Sequence, residues 1–312
     1  MNLAALDLGS NSFHLLVARV EPDGSLTKVA SSKEVLRLGA VVQTHGELPP
    51  AVFRDSLDVV GNMARIARAH RAETIVAVGT SALRDARNGP EFCEEAAQRH
   101  RLCVELLSGN EEGEVVFRGA TSSARDLPQR LAVVDIGGGS VEVVLGSVDD
   151  VRVIESLPLG FLRLSSALGS SGPVTAERVR AAVSMECRGL LERLATFTPD
   201  AWLFSGGTAR ALGKLLINPD GLSARAVARV CEDVSSSGRE RLRSLGVDES
   251  RLTTLGPGAQ VLQSLVEVLG IPRIRIATGG LREGLILREL RRMEHGSHVR
   301  QLPTSTASRL TA

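Results

Sequence analysis

A short pattern that occurs twice constrains this chain more than any other feature. Residues 3–17 read LAALDLGSNSFHLLV, and residues 131–145 read LAVVDIGGGSVEVVL. Apolar runs on both sides of a Gly-rich turn predict a β-hairpin, here with a carboxylate beside the turn. Two such hairpins predict a duplicated chain. We therefore expect two α/β lobes with a cleft between them and the two turns facing each other across it.

A second type of segment, an apolar run followed by Gly-Gly and a helical pattern, also occurs twice. It reads AWLFSGGTARAL over residues 201–212 and IRIATGGLREGLIL over residues 274–287. A Gly-Gly turn between a strand and a helix leaves backbone N–H groups bare at the start of the helix, which favours anion binding. Gly206 and Gly207 are therefore candidate phosphate-binding residues.

Helical periodicity and polar segments divide the rest of the chain. Apolar residues at helical spacing predict helices over 50–70, 110–120 and 175–195, the last after a Thr175 cap. The polar, Pro-containing segment 122–130 predicts a domain boundary, and the Ser/Thr-rich end predicts a flexible tail. The expected division is a first lobe, a second lobe and a tail over residues 1–124, 125–295 and 296–312.

Composition narrows the classes of partner. The 312 residues are 43% apolar, enough for two domains, and the net charge is +1. A protein that coats nucleic acid is usually far more basic, so we expect no nucleic-acid partner and a local basic pocket for any polyanion. The sequence lacks a long apolar run, so we expect no membrane partner. The four cysteines match no metal or disulfide pattern, which favours a cytoplasmic protein. Two-fold dimers are the commonest protein assemblies, so a homodimer is left open.

The two hairpin turns place a carboxylate beside small residues. Asp7 is followed by Leu-Gly-Ser-Asn-Ser, and Asp135 by Ile-Gly-Gly-Gly-Ser. Small residues let backbone N–H groups approach phosphate oxygens closely, and a carboxylate can hold Mg²⁺, which prefers oxygen ligands. The matched pair favours a phosphate and magnesium site over two purely structural hairpins.

Two further segments carry candidate residues. Glu111 and Glu112 lie in the first turn of a predicted helix, where a carboxylate either complements the helix dipole or orients and deprotonates a water molecule. Thr80 and Ser81 offer hydroxyl and N–H groups after a predicted strand. Arg84 is placed to clamp phosphate oxygens, with a surface salt bridge as the alternative.

The chain resembles the exopolyphosphatase / guanosine pentaphosphate phosphohydrolase family in six motifs, which occur in the family's order between residues 3 and 287. The motifs read DLGSNSFHLLVARV, GTSALRDARNG, LLSGNEEGEVVFRGA, VVDIGGGSVEVVLG, LFSGGTARAL and TGGLREGLI. The resemblance implies an α/β fold of two duplicated actin-like, sugar-kinase-like (ribonuclease H-like) lobes with an interdomain cleft. It also implies hydrolysis, dependent on Mg²⁺ or another divalent ion, of terminal phosphate from inorganic polyphosphate or of the 5′-γ-phosphate of guanosine pentaphosphate.

The resemblance assigns roles residue by residue. Glu112 falls on the family's catalytic glutamate, and Arg84 on the arginine that assists at the transferred phosphate. Asp135 and Glu142 fall on its metal carboxylates, to which we add Asp7 from the first hairpin. The expected phosphate-binding residues are Ser10, Asn11, Ser12, Thr80, Ser81, Gly137, Gly138, Gly139, Ser140, Gly206, Gly207 and Arg282.

The sequence also departs from the family pattern. Gly113 replaces the usual alanine after the paired acids, and Val141 replaces the usual threonine before Glu142. His14 stands where some members carry arginine, and we expect it to pack within a strand. The chain ends before the extra helical region of longer members, so we expect a preference for short or medium polyphosphate chains.

Three other functions stay open. The catalytic motifs do not separate inorganic polyphosphate from guanosine pentaphosphate, although one Trp and no Tyr leave few residues for stacking on a base. A non-hydrolytic sensor could use the same cleft, but the presence of Glu112, Asp135 and Glu142 argues against it. A sugar or acetate kinase of the same superfold would need an adenosine pocket that the sequence does not reveal.

Overall fold

The first hairpin begins a five-stranded sheet, as its apolar runs predict. The structure, a computed structural model, describes residues 1–122, 124–215 and 222–294, so the predicted tail lies outside the described residues. The first sheet has the order β3-β2-β1-β4-β5, in which β1 and β4 are parallel and β4 and β5 are parallel. Its strands are β1 (Asn2–Leu8), β2 (Ser12–Val20), β3 (Leu26–Val35), β4 (Thr74–Gly79) and β5 (Val104–Leu106).

The second hairpin begins a six-stranded sheet. Its order is β10-β11-β9-β6-β7-β8, in which β6 and β9 are parallel and β9 and β11 are parallel. Its strands are β6 (Leu131–Ile136), β7 (Val141–Gly146), β8 (Val151–Leu157), β9 (Ala201–Ser205), β10 (Leu222–Ser223) and β11 (Arg273–Ile276).

The two sheets have the same plan. The order β3-β2-β1-β4-β5 of the first matches β8-β7-β6-β9-β11 of the second, with β10 added at the edge. The repeated pattern also has the same register in both hairpins, because Asp7 pairs with His14 and Asp135 pairs with Glu142. The predicted duplication and the α/β fold of two actin-like lobes are therefore confirmed.

Helices cover the faces of the sheets. The helices of the first half are α1 (Leu38–His45), α2 (Pro50–Ala69), α3 (Ser81–Asp85), α4 (Gly89–His100) and α5 (Gly109–Ser122). Those of the second half are α6 (Phe161–Gly169), α7 (Ala176–Glu186), α8 (Arg188–Thr196), α9 (Gly206–Leu215), α10 (Ala224–Ser236), α11 (Arg239–Ser244), α12 (Leu255–Val268) and α13 (Leu281–Glu294). Among the described residues, no helix has the length and apolarity needed to cross a membrane.

The helix predicted over 175–195 is two helices. Thr175 does cap the first, because its hydroxyl accepts a hydrogen bond from the N–H of Arg178 at 3.3 Å. The prediction of one continuous helix was wrong because Cys187, at φ −82° and ψ 3°, ends α7 and begins α8. The Cys187 side chain is fully buried in the core of the second lobe, and this burial favours the break between the two helices over one continuous helix.

Helices α5 and α13 are exchanged between the two halves. Val116, Phe117 and Ala120 of α5 pack with apolar residues of the second sheet, although α5 follows a strand of the first. Leu285 and Ile286 of α13 pack with the first sheet, although α13 follows a strand of the second. The pair therefore lies between the sheets. The domain boundary expected after residue 124 stays a prediction, and α13 contributes to the core beneath the first sheet.

Candidate active site

The carboxyl ends of the parallel strands of both sheets meet at one cavity of about 510 Å³. Ligands of open α/β sheets bind at such ends. The predicted site residues that line it are Asp7, Ser10, Asn11, Ser12, Thr80, Ser81, Glu112, Asp135, Gly137, Gly138, Gly139, Ser140, Gly206, Gly207 and Arg282. Arg84 and Glu142 do not line it; Arg84 contacts Glu112, and the charge of Asp135 acts on Glu142, as described below.

The two hairpin turns face each other, as the repeat predicts. A Cβ atom added to Gly138 would lie 3.2 Å from the backbone N of Asn11, and one added to Gly139 would lie 2.3 Å from Ser81 Oγ. The second turn therefore needs glycine because the first lobe approaches it too closely for a side chain. In the first turn, Ser10 Oγ accepts a hydrogen bond from the N–H of Ala82 at 3.1 Å.

The carboxylates from the two hairpins lie close enough to disfavour each other's ionisation. Burial raises the pKa of Asp7 to about 7, against the opposing charge of Arg282, and the charge of Asp135 raises it further. Burial also raises the pKa of Asp135, although a hydrogen bond from Ser205 Oγ lowers it. Burial, followed by the charge of Asp135, raises the pKa of Glu142 to about 7.

These carboxylates fit a divalent cation. Glu142 is 1% exposed; its Oε1 accepts from Ser156 Oγ at 2.9 Å, and its Oε2 is buried without a hydrogen-bond partner. A cation would stabilise the ionised carboxylates that burial destabilises. Among the described residues, no three His, Cys, Asp or Glu side chains form a ready-made metal group. Mg²⁺ commonly takes only one or two protein carboxylates, because substrate phosphates and water complete its shell.

The paired acids at the start of α5 have different environments. Glu111 is exposed, and its Oε2 accepts from the N–H and Oγ of Ser108 at 2.8 and 2.7 Å. Ser108 Oγ in turn accepts from the N–H of Glu111 at 3.2 Å, so these two residues cap the helix. Glu112 is 6% exposed and lines the cavity. Of the two acids, Glu112 is therefore the one that can reach a bound substrate.

Burial raises the pKa of Glu112 well above its usual range, and the charge of Glu142 adds to this effect. Arg84 opposes the shift, because its Nη1 lies 3.2 Å from Glu112 Oε2. The same Nη1 donates to the carbonyl of Leu107 at 2.5 Å. In this structure Arg84 therefore holds Glu112, the acid that was expected to act as base. The expected contact of Arg84 with phosphate stays a prediction.

The cavity has the basic character that the sequence led us to expect, but sequence reasoning named only Arg282 among the cations that line it. Lys33, Arg210, Lys214 and Arg251 line it together with Arg282. Burial, and then the charge of Arg210, lowers the pKa of Arg251. A Cβ atom on Gly207 would lie 1.9 Å from an Nη of Arg251, so the absence of a side chain there makes room for the guanidinium. Each side chain lies in an ordinary helical, strand or loop context, and arginine is common throughout the chain, so only the folded structure distinguishes these residues.

His14 lies within a strand, as expected, and it also lines the cavity. It occupies the position in the first hairpin that Glu142 occupies in the second, and its Nε2 lies 2.8 Å from Ser12 Oγ. Burial, and then the charges of Arg282, Lys33 and other cations, lowers the pKa of His14 to about 2. His14 is therefore neutral and available for hydrogen bonding.

Comparison with known proteins gives consistent matches. The sequence profile of the Ppx/GppA phosphatase family matches residues 16–293. A protein of Aeromonas hydrophila named guanosine-5'-triphosphate,3'-diphosphate pyrophosphatase is 31% identical over 292 residues, which cover 91% of this chain and 58% of that protein. The protein of the same name from Vibrio cholerae serotype O1 is 30% identical over 290 residues, with the same coverage. The chain thus spans less than two thirds of the length of these curated relatives.

Solved structures have the same two-lobed fold. The Aquifex aeolicus member of the Ppx/GppA protein family superimposes with a TM-score of 0.78 at 25% identity, over 95% of this chain and 99% of that chain. An exopolyphosphatase from Cytophaga hutchinsonii superimposes with a TM-score of 0.81 at 23% identity, over 96% and 99% of the two chains. The latter likeness concerns the fold alone.

Proposed function

This chain belongs to the Ppx/GppA phosphatase family, and on that premise we propose that it hydrolyses the terminal phosphoanhydride bond of a polyphosphate substrate and releases orthophosphate. One observation carries the proposal. Acids, Gly-rich turns and several cations from both lobes line a single cleft, with the buried Glu112 at its wall. This combination provides groups for phosphate binding, for a divalent ion and for activation of water.

We propose inorganic polyphosphate as the preferred substrate, so that the protein acts as an exopolyphosphatase. Among the described residues, Phe161 is the one Phe, Tyr or Trp side chain that lines the cleft, and it is 4% exposed. A base would therefore find little surface for stacking, whereas a chain of phosphates would find Lys33, Arg210 and Arg251 along the wall.

Guanosine pentaphosphate is the second candidate substrate. The curated relatives at about 30% identity are named for a pyrophosphatase that acts on guanosine-5'-triphosphate,3'-diphosphate, which favours this substrate. The bond broken is of the same chemical type, so the same residues would serve. The two substrates differ in what must fill the cleft beyond the terminal phosphates.

The proposed mechanism assigns each group a step. The backbone N–H groups of the two turns and Arg282 bind the oxygens of the terminal phosphate. A divalent cation held by one or two of the carboxylates of Asp7, Asp135 and Glu142 would neutralise negative charge on the phosphate oxygens when bound. Glu112 orients a water molecule in line with the scissile P–O bond and takes its proton. The new P–O bond forms as the anhydride P–O bond breaks, and the shortened substrate leaves with the bonding electron pair.

The environment of Glu112 suits a general base. A base works best when its pKa lies near the working pH, and burial beside Glu142 raises the pKa of Glu112 in that direction. Arg84 keeps the ionised form accessible and fixes the carboxylate through its contact with Oε2. Transfer of the proton from the water molecule to Glu112 is therefore favoured while the Glu112 carboxylate stays oriented.

The test compares two neighbouring variants. Orthophosphate release is measured from polyphosphate of several defined lengths and from guanosine pentaphosphate, with Mg²⁺ and with a chelator. Glu112→Gln should lower kcat by about 10²–10⁴-fold. Glu111→Gln removes a charge from the same turn of α5, can keep the cap with Ser108, and should retain most of the activity.

Each outcome points to one function. Metal-dependent release of orthophosphate from polyphosphate that Glu112→Gln abolishes would support the proposal. A steep preference for the longest chains would contradict the expected preference for short or medium chains. Release from guanosine pentaphosphate alone would favour the second candidate. No release by folded protein from either substrate would overturn hydrolysis and favour a sensor, or a kinase if ATP-dependent phosphorylation of an alcohol were found.

A further inference from the structure

The first turn of α6 binds the Gly-rich turn of the second hairpin. Backbone N–H groups of residues 161–163 donate to the carbonyl oxygens of Gly137 and Gly138 at 2.9–3.2 Å. Arg163 completes the set, because its Nε donates to the carbonyl of Gly139 at 2.7 Å. The C=O and the following N–H of a trans peptide point in opposite directions. These bonds therefore turn the next N–H groups away from α6, in a turn that lines the cleft.

The other end of the Arg163 guanidinium reaches the first lobe. Its Nη2 donates to Ser81 Oγ at 3.0 Å and also to Asp85 Oδ2. Ser81 Oγ donates to the same Oδ2 at 3.4 Å. The Arg163 and Asp85 side chains are 25% and 34% exposed, so water only partly screens the pair. One side chain thus joins the phosphate turn of the second lobe to α3 of the first.

Helix α3 also carries Arg84, the residue before Asp85. Arg84 holds Glu112 at 3.2 Å, as described above. The helix has only five residues, so a displacement of Asp85 would move Arg84 with it. A continuous set of contacts therefore runs from the Gly139 carbonyl through Arg163, Asp85 and Arg84 to Glu112.

We propose that Arg163 is a positioning residue that fixes the phosphate-binding turn of the second lobe relative to the general base of the first. The proposal rests on the proposed hydrolysis and adds a residue to which no role has been assigned. Arg163 is not among the residues that line the cleft, so it acts through Gly139 and Asp85.

The expected defect is in turnover. A displacement of about 1 Å in a catalytic group can cost 10²-fold in rate, so we expect Arg163→Met to lower kcat by about 10–100-fold and to change KM by less than about threefold. Asp85→Asn should have a similar effect. Because the two residues act through one contact, the double variant should be no slower than the slower single variant, whereas independent effects would multiply.

A control and a conservative variant accompany the test. Arg130→Met breaks a comparable ion pair, in which the Arg130 guanidinium donates to both Asp200 oxygens at 2.6 and 3.0 Å on the surface of the second lobe. It should leave kcat unchanged. Arg163→Lys keeps the charge but cannot bond Gly139, Ser81 and Asp85 together, so its kcat should lie between those of the wild type and Arg163→Met.

Hydrogen exchange provides a readout that does not depend on activity. Arg163→Met should speed amide exchange in both residues 82–85 and residues 138–140, on the two sides of the contact, while the Arg130→Met control should change neither. If the wild type hydrolyses no substrate but this paired change is seen, the positioning contact stands and the proposed function fails. Unchanged exchange, a wild-type kcat, multiplicative effects, or a KM increase that accounts for the loss of kcat/KM would each overturn the proposal.

Discussion

Replacing Glu142 by glutamine should stabilise the metal-free protein at alkaline pH while it removes activity. Glu142 is 1% exposed, and burial together with the charge of Asp135 raises its pKa from 4.5 to about 7. A carboxyl with a higher pKa in the folded than in the unfolded chain holds its proton more tightly when folded. Its contribution to stability is therefore lost as the pH rises from about 4.5 to about 7.

The magnitude follows from the same two values. The difference between 4.5 and about 7 corresponds to a cost of about 3 kcal/mol at pH 8, where the buried carboxyl is ionised. Glutamine avoids this cost but places an amide where Oε2 has no hydrogen-bond partner, so we expect a net gain of about 1–2 kcal/mol. This gain corresponds to a rise of several degrees in the melting temperature at pH 8 and none at pH 5.

The assay is thermal unfolding at pH 5 and pH 8 in the presence of a chelator, with orthophosphate release measured on the same samples. Glu111→Gln serves as the control, because hydrogen bonds from Ser108 lower the pKa of the exposed Glu111 carboxylate, the opposite direction to Glu142. It should show no pH-dependent gain and should retain activity. Equal destabilisation of Glu142→Gln at both pH values would refute the reasoning and make Glu142 a purely structural residue.

Two further substitutions test contacts between the lobes and along the cleft. A Cβ atom at Gly119 would lie 1.9 Å from the carbonyl oxygen of Gly280, so Gly119→Ala should lower the free energy of unfolding by about 1–3 kcal/mol. The control Gly189→Ala, in open space on α8, should raise the free energy of unfolding by about 0.5–1 kcal/mol. Equal melting temperatures of the two variants would contradict this reasoning. Gly207→Ala should displace the Arg251 guanidinium with little loss of stability and raise KM for polyphosphate by about tenfold, and an unchanged KM in steady-state assays would exclude Arg251 from substrate binding.

The sequence predicts those features that depend on local pattern. Apolar runs around a Gly turn suffice for the two hairpins, and their repetition suffices for the duplicated lobes and the cleft. The exchange of α5 and α13 could not be predicted this way. An apolar face on a helix indicates that this face is buried, but it does not indicate which sheet it packs against. The close approach of Gly119 to Gly280 becomes visible only once the two helices are side by side.

In the candidate site, too, residues within motifs could be predicted from the sequence, whereas residues brought together by packing could not. Asp7, Asp135 and Glu112 belong to motifs, so they could be named before the fold was known. Arg251 lies in none of these motifs, and Arg210 lies in the LFSGGTARAL motif without being named as a site residue; the place of both in the cleft wall depends on the long-range packing that brings them beside Arg282.

The duplicated frame carries different residues at one equivalent position of its two hairpins. The equivalent hairpin positions hold His14 in the first lobe and Glu142 in the second. Burial, and then the surrounding cations, lower the pKa of His14 to about 2, whereas burial, and then the charge of Asp135, raise the pKa of Glu142 to about 7. Within one shared frame, this position therefore carries a neutral ring near the cations of the cleft in the first lobe and a carboxyl near Asp135 in the second.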